Sequence, residues 1–168
     1  MPVQVRELTR ADAAAFRALR LRALKEHPEA FTSSFEEAVE QPINVAERRL
    51  AGESGDRFWG AFVADELQGM IGLARESRIK NRHKGNVVAM YVAAEFAGQG
   101  LGRALVQAVI DHARDVDRLE QLVLTVTHDN IPACKLYNGA GFKTFGVEPR
   151  AIQVAGTYFD KEHMILFL

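Results

Sequence analysis

The stretch that decides the fold spans Met90 to Arg103 and reads MYVAAEFAGQGLGR. It begins as an apolar strand, contains Gly98, Gly100 and Gly102, and continues as a helix. A strand that turns into a helix presents unpaired backbone N–H groups and the positive end of the helix dipole to one small volume. This suits a phosphate or pyrophosphate, because glycine lacks the Cβ that would hold the ligand away. Glycines also shape tight turns without any ligand, and their spacing alone leaves both interpretations open.

Two phosphate-binding motifs can be compared with these glycines. A P-loop has a lysine and then a serine or threonine after its last glycine, whereas Gly102 is followed by Arg103 and Ala104. A Rossmann fingerprint has a third glycine three residues after the second, where Arg103 stands, and it lies at the beginning of its domain. The sequence therefore weakens both nucleotide-binding interpretations.

Outward from this stretch, hydrophobic periodicity predicts a succession of strands and helices. The predicted strands are 3–8, 58–64, 67–75, 87–92, 122–126, 142–147 and 158–167, and the predicted helices are 10–25, 44–50, 101–114 and 130–137. Thr9 and Asp12 resemble a capping box, and Asn44 is the predicted cap of the second helix. Between 29 and 41 we expect a loop with a short helical piece. The order predicts one α/β domain that spans residues 1–168.

A second motif lies downstream, where residues 130–142 read NIPACKLYNGAGF. It resembles the Asn-x-x-Ala-x-x-Leu-Tyr-x-x-x-Gly-Phe signature of the GNAT superfamily of N-acetyltransferases. The glycine stretch is similar to the acetyl-CoA pyrophosphate loop of that family, which has Arg or Gln, two residues, Gly, one residue, and Gly or Ala. Aligned on Gly100 and Gly102, the Arg or Gln position falls on Ala97, a departure for which Gln99 or Arg103 can compensate in part. The likeness covers about residues 57–168.

The resemblance implies a mixed, mostly antiparallel sheet flanked by helices, and transfer of an acetyl group from acetyl-CoA to a primary amine by direct attack in a ternary complex. It implies that strands 87–92 and 122–126 splay apart around the pantetheine arm. A main-chain N–H there would stabilise the oxyanion. Tyr137 holds the position of the tyrosine beside the CoA sulfur, where a phenol can protonate the leaving thiolate. The implied cofactor-binding residues are Met90, Tyr91, Val92, Ala97, Gly98, Gln99, Gly100, Leu101, Gly102, Arg103, Asn130 and Ala133.

The acceptor amine poses a separate problem, because an alkylamine with a pKa of about 10.4 is mostly protonated at neutral pH. Many family members place a glutamate near the start of the central strand, where this sequence has Asn86, which cannot act as a base. We expect residues 1–56 to contribute to the acceptor site and residues 57–168 to form the acetyl-CoA core. Acidic side chains there, including those of the C-terminal hairpin, would attract a cationic amine or a peptide N-terminus. The remaining candidate bases are Glu36, Glu37, Glu76, His128 and Glu162.

Composition and charge limit the classes of partner that we expect the protein to bind. The 168 residues carry a formal net charge of -1, so no global field attracts nucleic acid or an anionic membrane. No apolar stretch approaches the roughly 20 residues that span a bilayer. Because residues 1–10 do not resemble a secretory signal and Cys134 has no second cysteine to pair with, we expect a cytoplasmic location. The five histidines show no metal-ligand spacing, and no metal is expected.

Two other function classes stay open. A non-catalytic CoA-binding regulatory module would keep the glycine loop, although Tyr137 argues for catalysis. A nucleotide-binding domain would prefer ATP to acetyl-CoA. We also expect that a homodimer can form through the sheet edge or the C-terminal strands.

Overall fold

The computed structural model describes residues 2–168, and Met1 lies outside them. The strands are β1 (Val3–Glu7), β2 (Arg57–Val63), β3 (Glu66–Arg75), β4 (Lys84–Val92), β5 (Gln121–Thr127), β6 (Lys143–Val154) and β7 (Thr157–Phe167). The helices are α1 (Ala13–Glu26), α2 (Phe35–Val39), α3 (Ile43–Leu50), α4 (Leu101–Asp115) and α5 (Ile131–Gly139). The strands form one sheet in the order β1-β2-β3-β4-β5-β7-β6. Only β4 and β5 are parallel neighbours among the described strands, which confirms the predicted mixed, mostly antiparallel sheet.

The parallel pair at the centre of the sheet is short. β4 and β5 share the pairs Lys84–Gln121, Gly85–Leu122 and Asn86–Val123, and the pairing stops there. Beyond it, β4 stays paired with β3, and β5 stays paired with β7 as far as Thr127. The sheet therefore opens into a gap between β4 and β5 after Asn86, as the resemblance implies.

Helices cover both faces of the sheet and fix the position of this gap. On one face Leu105 and Val109 of α4 pack with Trp59 and Ile71 of the sheet. On the other face Phe16 of α1 packs with residues of β2 and β3 and with α3. Burial of each large side chain contributes about 1.5–3 kcal/mol. Both faces of the sheet are thus covered by helices that are held there by apolar packing.

The beginnings of the first helices refine the prediction. The backbone N–H of Thr9 donates to the carboxylate of Asp12 at 2.8 Å, so this pair does act as a cap. The cap precedes a 3-10 helix, Arg10–Asp12, which leads into α1. The prediction of Asn44 as the cap of the second helix is wrong. Pro42 is the cap, with an extended backbone at φ −68° and ψ 157°, and the helix begins at Ile43.

The C-terminal hairpin is longer than predicted. β6 extends to Val154 instead of ending at 147, and it pairs with β7 again after an irregularity between Glu148 and Ile152. Its side chains 143–150 are exposed on both faces of the strand. A strand with neither face buried shows no alternation of apolar and polar residues, so hydrophobic periodicity could not reveal its full length.

Candidate active site

The glycine loop has a backbone conformation that requires glycine at two positions. Gly98 and Gly100 have φ values of +74° and +87°, in the left-handed region that costs other residues about 1–2 kcal/mol. A Cβ at either position would meet nothing within 4 Å. The conformation, and not crowding by the protein, therefore selects glycine here, and the outer face of the loop is open to a ligand.

The N-terminus of α4 lies at that open face of the loop. Gly100 is the cap residue of α4 and has no side chain to bond the first amides, and the first turn contains no acidic residue. The first intrahelical hydrogen bond runs from the Ala104 N–H to the Gly100 carbonyl at 3.0 Å, so the N–H groups of Leu101, Gly102 and Arg103 have no acceptor within the helix and are available to an anion. The Arg103 side chain is exposed beside them. This arrangement fits a pyrophosphate.

The departure from the family pattern at Ala97 has a local consequence. Ala97 has an extended backbone, and its N–H donates to the carbonyl of Ala94 at 3.2 Å. The Gln99 side chain donates to the carbonyl of Glu95 at 3.2 Å, within the loop itself. Of the two residues predicted to compensate for Ala97, Arg103 is therefore the one whose side chain is free of such a bond.

Gly102 brings the separate motifs together. A Cβ on Gly102 would lie 3.2 Å from Cδ2 of Leu136 in α5 and 3.2 Å from Cε of Met90 in β4. The first turn of α4 thus packs directly against both the end of the central strand and the helix of the second motif. Two motifs that are about 30 residues apart in sequence form one site.

A cavity of about 290 Å³ occupies the gap between β4 and β5. Residues 87–90 of β4 line one side and residues 125–127 of β5 line the other. From α5 and its cap, Asn130, Ala133 and Tyr137 face the same space. Of the β4 positions predicted to bind the cofactor arm, Met90 lines the cavity.

A bulge in β4 faces this cavity, and sequence reasoning missed it. Val88 pairs with Gly72 and Tyr91 pairs with Met70, so two residues of β4 stand opposite one residue of β3. Within the bulge Ala89 has a φ of +56°, a left-handed conformation that is uncommon outside glycine. Strained residues of this kind concentrate at functional sites, and bulges redirect the main chain. An alanine gives no sequence signal for either feature.

Tyr137 is held in a defined place by buried packing. Only 6% of the residue is exposed, and its ring meets Phe142 edge-on at 5.9 Å between centroids. Burial, with a smaller contribution from Cys134, raises the pKa of Tyr137 far above its usual value. The phenol therefore carries its proton at neutral pH, as a proton donor must.

Asn130 has a structural task at the start of α5. Its side-chain oxygen accepts the backbone N–H of Ala133 at 3.3 Å, which caps the helix. Because α5 carries Tyr137, this cap helps to fix the phenol in the cavity. Contact of Asn130 and Ala133 with the cofactor stays a prediction.

The Tyr91 side chain points away from the cavity into a polar network. Its hydroxyl donates to the Glu26 carboxylate at 2.7 Å, and Arg22 bonds both Glu26 and Glu95 at 2.7 Å. Burial, and then the bond to Glu26, raises the pKa of Tyr91 to about 12. The network ties α1 to the end of β4 and to the start of the glycine loop, and Tyr91 has only its main chain to offer a cofactor.

None of the predicted general bases lines the cavity. Glu76 accepts a hydrogen bond from the Asn86 amide at 3.0 Å. Glu162 lies 3.2 Å from His128 and accepts the Cys134 thiol at 3.1 Å. Burial, and then this carboxylate, raises the pKa of Cys134 to about 11, which makes the thiol a poor nucleophile. Among the described residues, the cavity lining includes none of Glu36, Glu37, Glu76, His128 and Glu162.

The charged residues that line this cavity are all cationic, and none of the acidic side chains expected at the acceptor site is among them. Arg20 of α1, Arg49 of α3 and Lys161 of β7 line it. Burial, and then the charge of Arg49, lowers the pKa of Arg20 to about 10, which leaves it charged at neutral pH. Lys161 is 5% exposed, donates to Thr127 Oγ1 at 3.1 Å and has a pKa lowered by burial. These residues come from distant parts of the chain, so no local motif marks them.

Residues 2–168 contain neither a metal-binding cluster nor a membrane-spanning helix. No group of three or more His, Cys, Asp or Glu side chains in that range could hold a metal ion. None of the helices there is long and apolar enough to cross a membrane.

Comparisons with known proteins agree with this geometry. The model of the acetyltransferase (GNAT) family matches residues 18–142. An acetyltransferase of that family from Streptococcus pneumoniae has a TM-score of 0.91 at 23% identity, covering 99% of this chain and 100% of its own. The structure of yncA, a putative acetyltransferase from Salmonella typhimurium with its cofactor acetyl-CoA, has a TM-score of 0.83 at 22% identity, covering 100% and 95%.

Two curated relatives differ in how much of their length is shared. The UPF0157 protein YqkA of Bacillus subtilis (strain 168) is 30% identical over 133 residues, which are 70% of this chain and 36% of YqkA. The L-amino acid N-acetyltransferase AaaT of Escherichia coli (strain K12) is 24% identical over 145 residues, which are 86% of this chain and 88% of AaaT. The chain thus spans about a third of the length of YqkA and most of the length of AaaT.

Proposed function

This chain belongs to the acetyltransferase (GNAT) family, and we propose that it transfers the acetyl group of acetyl-CoA to the primary amine of a small molecule or peptide, by direct attack in a ternary complex. The observation that supports this most is the cavity between β4 and β5, whose lining includes Tyr137 and also Met90, which packs against Gly102 of the glycine loop. The family predicted from the two motifs is confirmed. The acceptor and the reaction order belong to the proposal.

Acetyl-CoA would supply the acetyl thioester, and three parts of the chain would hold it. The amides of residues 101–103 and the exposed Arg103 would bind the pyrophosphate, for which the open face of the loop leaves room. Main-chain groups of β4 beyond Asn86 have no strand partner on the β5 side and would bond the pantetheine arm. Met90 packs against Gly102 and so links these two parts.

The reaction needs an oxyanion donor and a proton donor. A main-chain N–H at the bulge around Ala89 would stabilise the oxygen as the amine nitrogen attacks the carbonyl carbon. When the carbon–sulfur bond breaks, the Tyr137 phenol would give its proton to the thiolate, and the amine nitrogen would lose one proton to water, from which the Tyr137 phenolate would regain its own. A phenol with a raised pKa can protonate a thiolate only as that thiolate forms, so the benefit to the rate is modest.

The lining of the same cavity indicates which part of the chain would bind each substrate. Arg20 and Arg49 of residues 1–56 line the side that we assign to the acceptor, while Met90 and Tyr137 of residues 57–168 line the side that we assign to the cofactor. Lys161, from the C-terminal strand, also reaches the acceptor side. We assign both parts to a single domain of residues 1–168.

Thermal-shift titration tests the cofactor first. At a concentration of 100 times its Kd, a ligand that binds only the folded protein adds about 2.7 kcal/mol. For a chain of this size the melting temperature should rise by about 5–11 °C with acetyl-CoA and with CoA. ATP and NAD serve as controls and should produce no rise. A rise with ATP alone would contradict the proposal and favour a nucleotide-binding domain.

Turnover tests the transfer. Incubation with acetyl-CoA and a panel of primary amines should release free CoA thiol and yield products that are heavier by one acetyl group. Binding of acetyl-CoA without thiol release for any amine would instead point to a non-catalytic CoA-binding module. Initial rates measured while both substrates are varied should give intersecting lines, because the two must be bound together. Parallel lines would contradict the ternary complex.

A further inference from the structure

The acceptor side of the cavity is strongly positive. The charged residues that line it are Arg20, Arg49 and Lys161. No Asp or Glu of residues 2–168 lines it with them. We propose that the acceptor amine is part of a small anionic molecule, such as an amino acid, whose carboxylate is bound by Arg20 and Arg49. This inference rests on the proposed function and names the chemical class of its acceptor.

The positive charges of Arg20 and Arg49 are available to a ligand, because no acidic side chain in residues 2–168 neutralises them. Neither guanidinium forms an ion pair with a carboxylate in the range 2–168. Arg20 donates one hydrogen bond to the Ser33 hydroxyl at 3.2 Å, and Arg49 lies over the Phe58 ring at 4.7 Å. By contrast, Arg75 is bonded to Asp117 at 2.9 Å. A guanidinium has five donors, so most donors of the two cavity arginines remain unused.

The proximity of the arginines adds to the argument. Both are partly buried, and burial lowers the pKa of both, with the charge of Arg49 contributing at Arg20. Two like charges brought together out of water are unfavourable unless an anion compensates them. A carboxylate would compensate them and can accept paired N–H donors from a guanidinium.

Two acids that act on these cations do not provide that compensation. Asp56 raises the pKa of Arg49 by less than burial lowers it, and its carboxylate accepts the backbone N–H of Arg75 at 3.0 Å. Glu29 raises the pKa of Lys161 by less than burial lowers it, and it lies 3.8 Å from the His27 ring. Neither acid lines the cavity. The field that an acceptor meets is therefore positive, and it disfavours a polycationic amine.

The same positive field also affects how much of the acceptor amine is neutral. Nearby positive charges disfavour the protonated form of an amine and lower its pKa. An acceptor anchored by its carboxylate would hold its amine within this field, close to the bulge of β4. More of the amine would then be neutral and able to attack, even though none of the predicted carboxylate or histidine bases lines the cavity.

The size of the cavity fits such a molecule. Its volume of about 290 Å³ is near the lower limit of the roughly 300–1,000 Å³ of small-molecule sites. Part of that volume is needed for the acetyl group and the end of the pantetheine arm. An acceptor of amino-acid size therefore fits better than a large polyamine or an aminoglycoside.

Matched amines provide the direct test. Each L-amino acid is compared with its carboxamide and with the amine that lacks the carboxylate, and kcat/KM is measured by release of CoA thiol. Hydrogen bonds to charged groups correspond to differences of about 10- to 100-fold, so the preferred amino acid should exceed its carboxamide by at least about tenfold. The Arg20→Gln and Arg49→Gln variants should each reduce this ratio, and the double variant should bring it close to one. The kcat/KM profile of these variants should also move to higher pH.

Arg48→Gln is the matched control. Arg48 precedes Arg49 in α3, is exposed and does not line the cavity, so its removal should leave the ratio unchanged. The melting temperatures of the Arg20→Gln and Arg49→Gln variants should be no lower than that of the wild type, which separates loss of recognition from unfolding.

The outcomes distinguish this inference from the proposed function. Acetylation of carboxamides or polyamines as efficiently as of amino acids would overturn the anionic acceptor while leaving the acetyltransferase intact. A ratio that stays high in the double variant would overturn the assignment to Arg20 and Arg49. Absence of thiol release for every amine, despite binding of acetyl-CoA, would overturn the proposed function and this inference with it.

Discussion

Replacement of Gly100 by alanine tests how the glycine loop works. Gly100 has a φ of +87°, and an added Cβ would meet nothing within 4 Å. The cost of Gly100→Ala therefore comes from the left-handed backbone alone, at about 1–2 kcal/mol. For a chain of this length that corresponds to a melting temperature about 2–8 °C lower. Denaturation by urea would give the loss of unfolding free energy independently.

Binding of acetyl-CoA should weaken in the same variant. If the substituted residue moves towards a negative φ to relieve the strain, the amides of residues 101–103 turn away from the pyrophosphate. Loss of one hydrogen bond to a charged group costs about 1.5–3 kcal/mol, so the Kd measured by calorimetry should rise by at least about tenfold. An unchanged Kd together with an unchanged melting temperature would refute the claim that the left-handed backbone shapes this site.

Gly102→Ala is the matched control, because it adds the same methyl group two residues away with different physics. Gly102 lies in the first turn of α4 and has no positive φ, so alanine gains up to about 1 kcal/mol of helix propensity. Against this, the new Cβ would lie 3.2 Å from the flexible ends of Leu136 and Met90. We expect the two effects to cancel to within about 1 kcal/mol. A larger loss for Gly102→Ala than for Gly100→Ala would show that crowding, and not conformation, governs the loop.

Individual side chains support three further predictions. Tyr137→Phe should lower kcat by about tenfold while leaving the melting temperature within a few degrees, because only the proton donor is lost; an unchanged kcat would exclude Tyr137 as that donor. The bond to Arg6 lowers the pKa of Asp12 from 3.8 to about 2, so its stabilisation is present above pH 4 and is lost as the pH falls towards 2. Urea unfolding at several pH values should show a loss of about 1–2 kcal/mol, after allowance for the exposure of Arg6, and Asp12→Asn should lack it. Arg20→Gln should hold or raise the ligand-free melting temperature, because it removes a buried charge beside Arg49; a marked fall would show that the charge stabilises the fold.

Local patterns predict the parts of the site that lie within one segment. Glycines between a strand and a helix mark the loop, and the helix motif that contains Tyr137 marks one wall of the cavity. Asn44 misleads as the cap of α3 because asparagine is the commoner cap, whereas Pro42 occupies the cap position with an extended backbone and no side-chain hydrogen bond. These features depend on residues that are close in sequence, which is why they could be predicted or nearly predicted.

The remaining features depend on contacts between distant segments. Ala89 takes its left-handed conformation from the mismatch between β3 and β4, and alanine itself does not favour it. Arg20, Arg49 and Lys161 meet only because α1, α3 and β7 converge on the gap. In the sequence each of these residues resembles an ordinary solvent-exposed cation. The positive charge of the proposed acceptor site could therefore be found only from the structure.

The early end of the β4–β5 pairing also affects how the two halves of the sheet move. Among the described residues, strands β1 to β4 pair with strands β5 to β7 only through residues 84–86 and 121–123, next to a backbone hydrogen bond from the Glu120 N–H to the His83 carbonyl. A pantetheine arm bound beyond Asn86 would take the place of the absent strand contacts and act as a removable crosslink across the seam. Amide protons of residues 87–92 that face the gap should then exchange with solvent in the free protein and become protected in the complex. Amide exchange at individual residues would thus report occupancy of the cosubstrate site as a more rigid sheet, without any measurement of turnover.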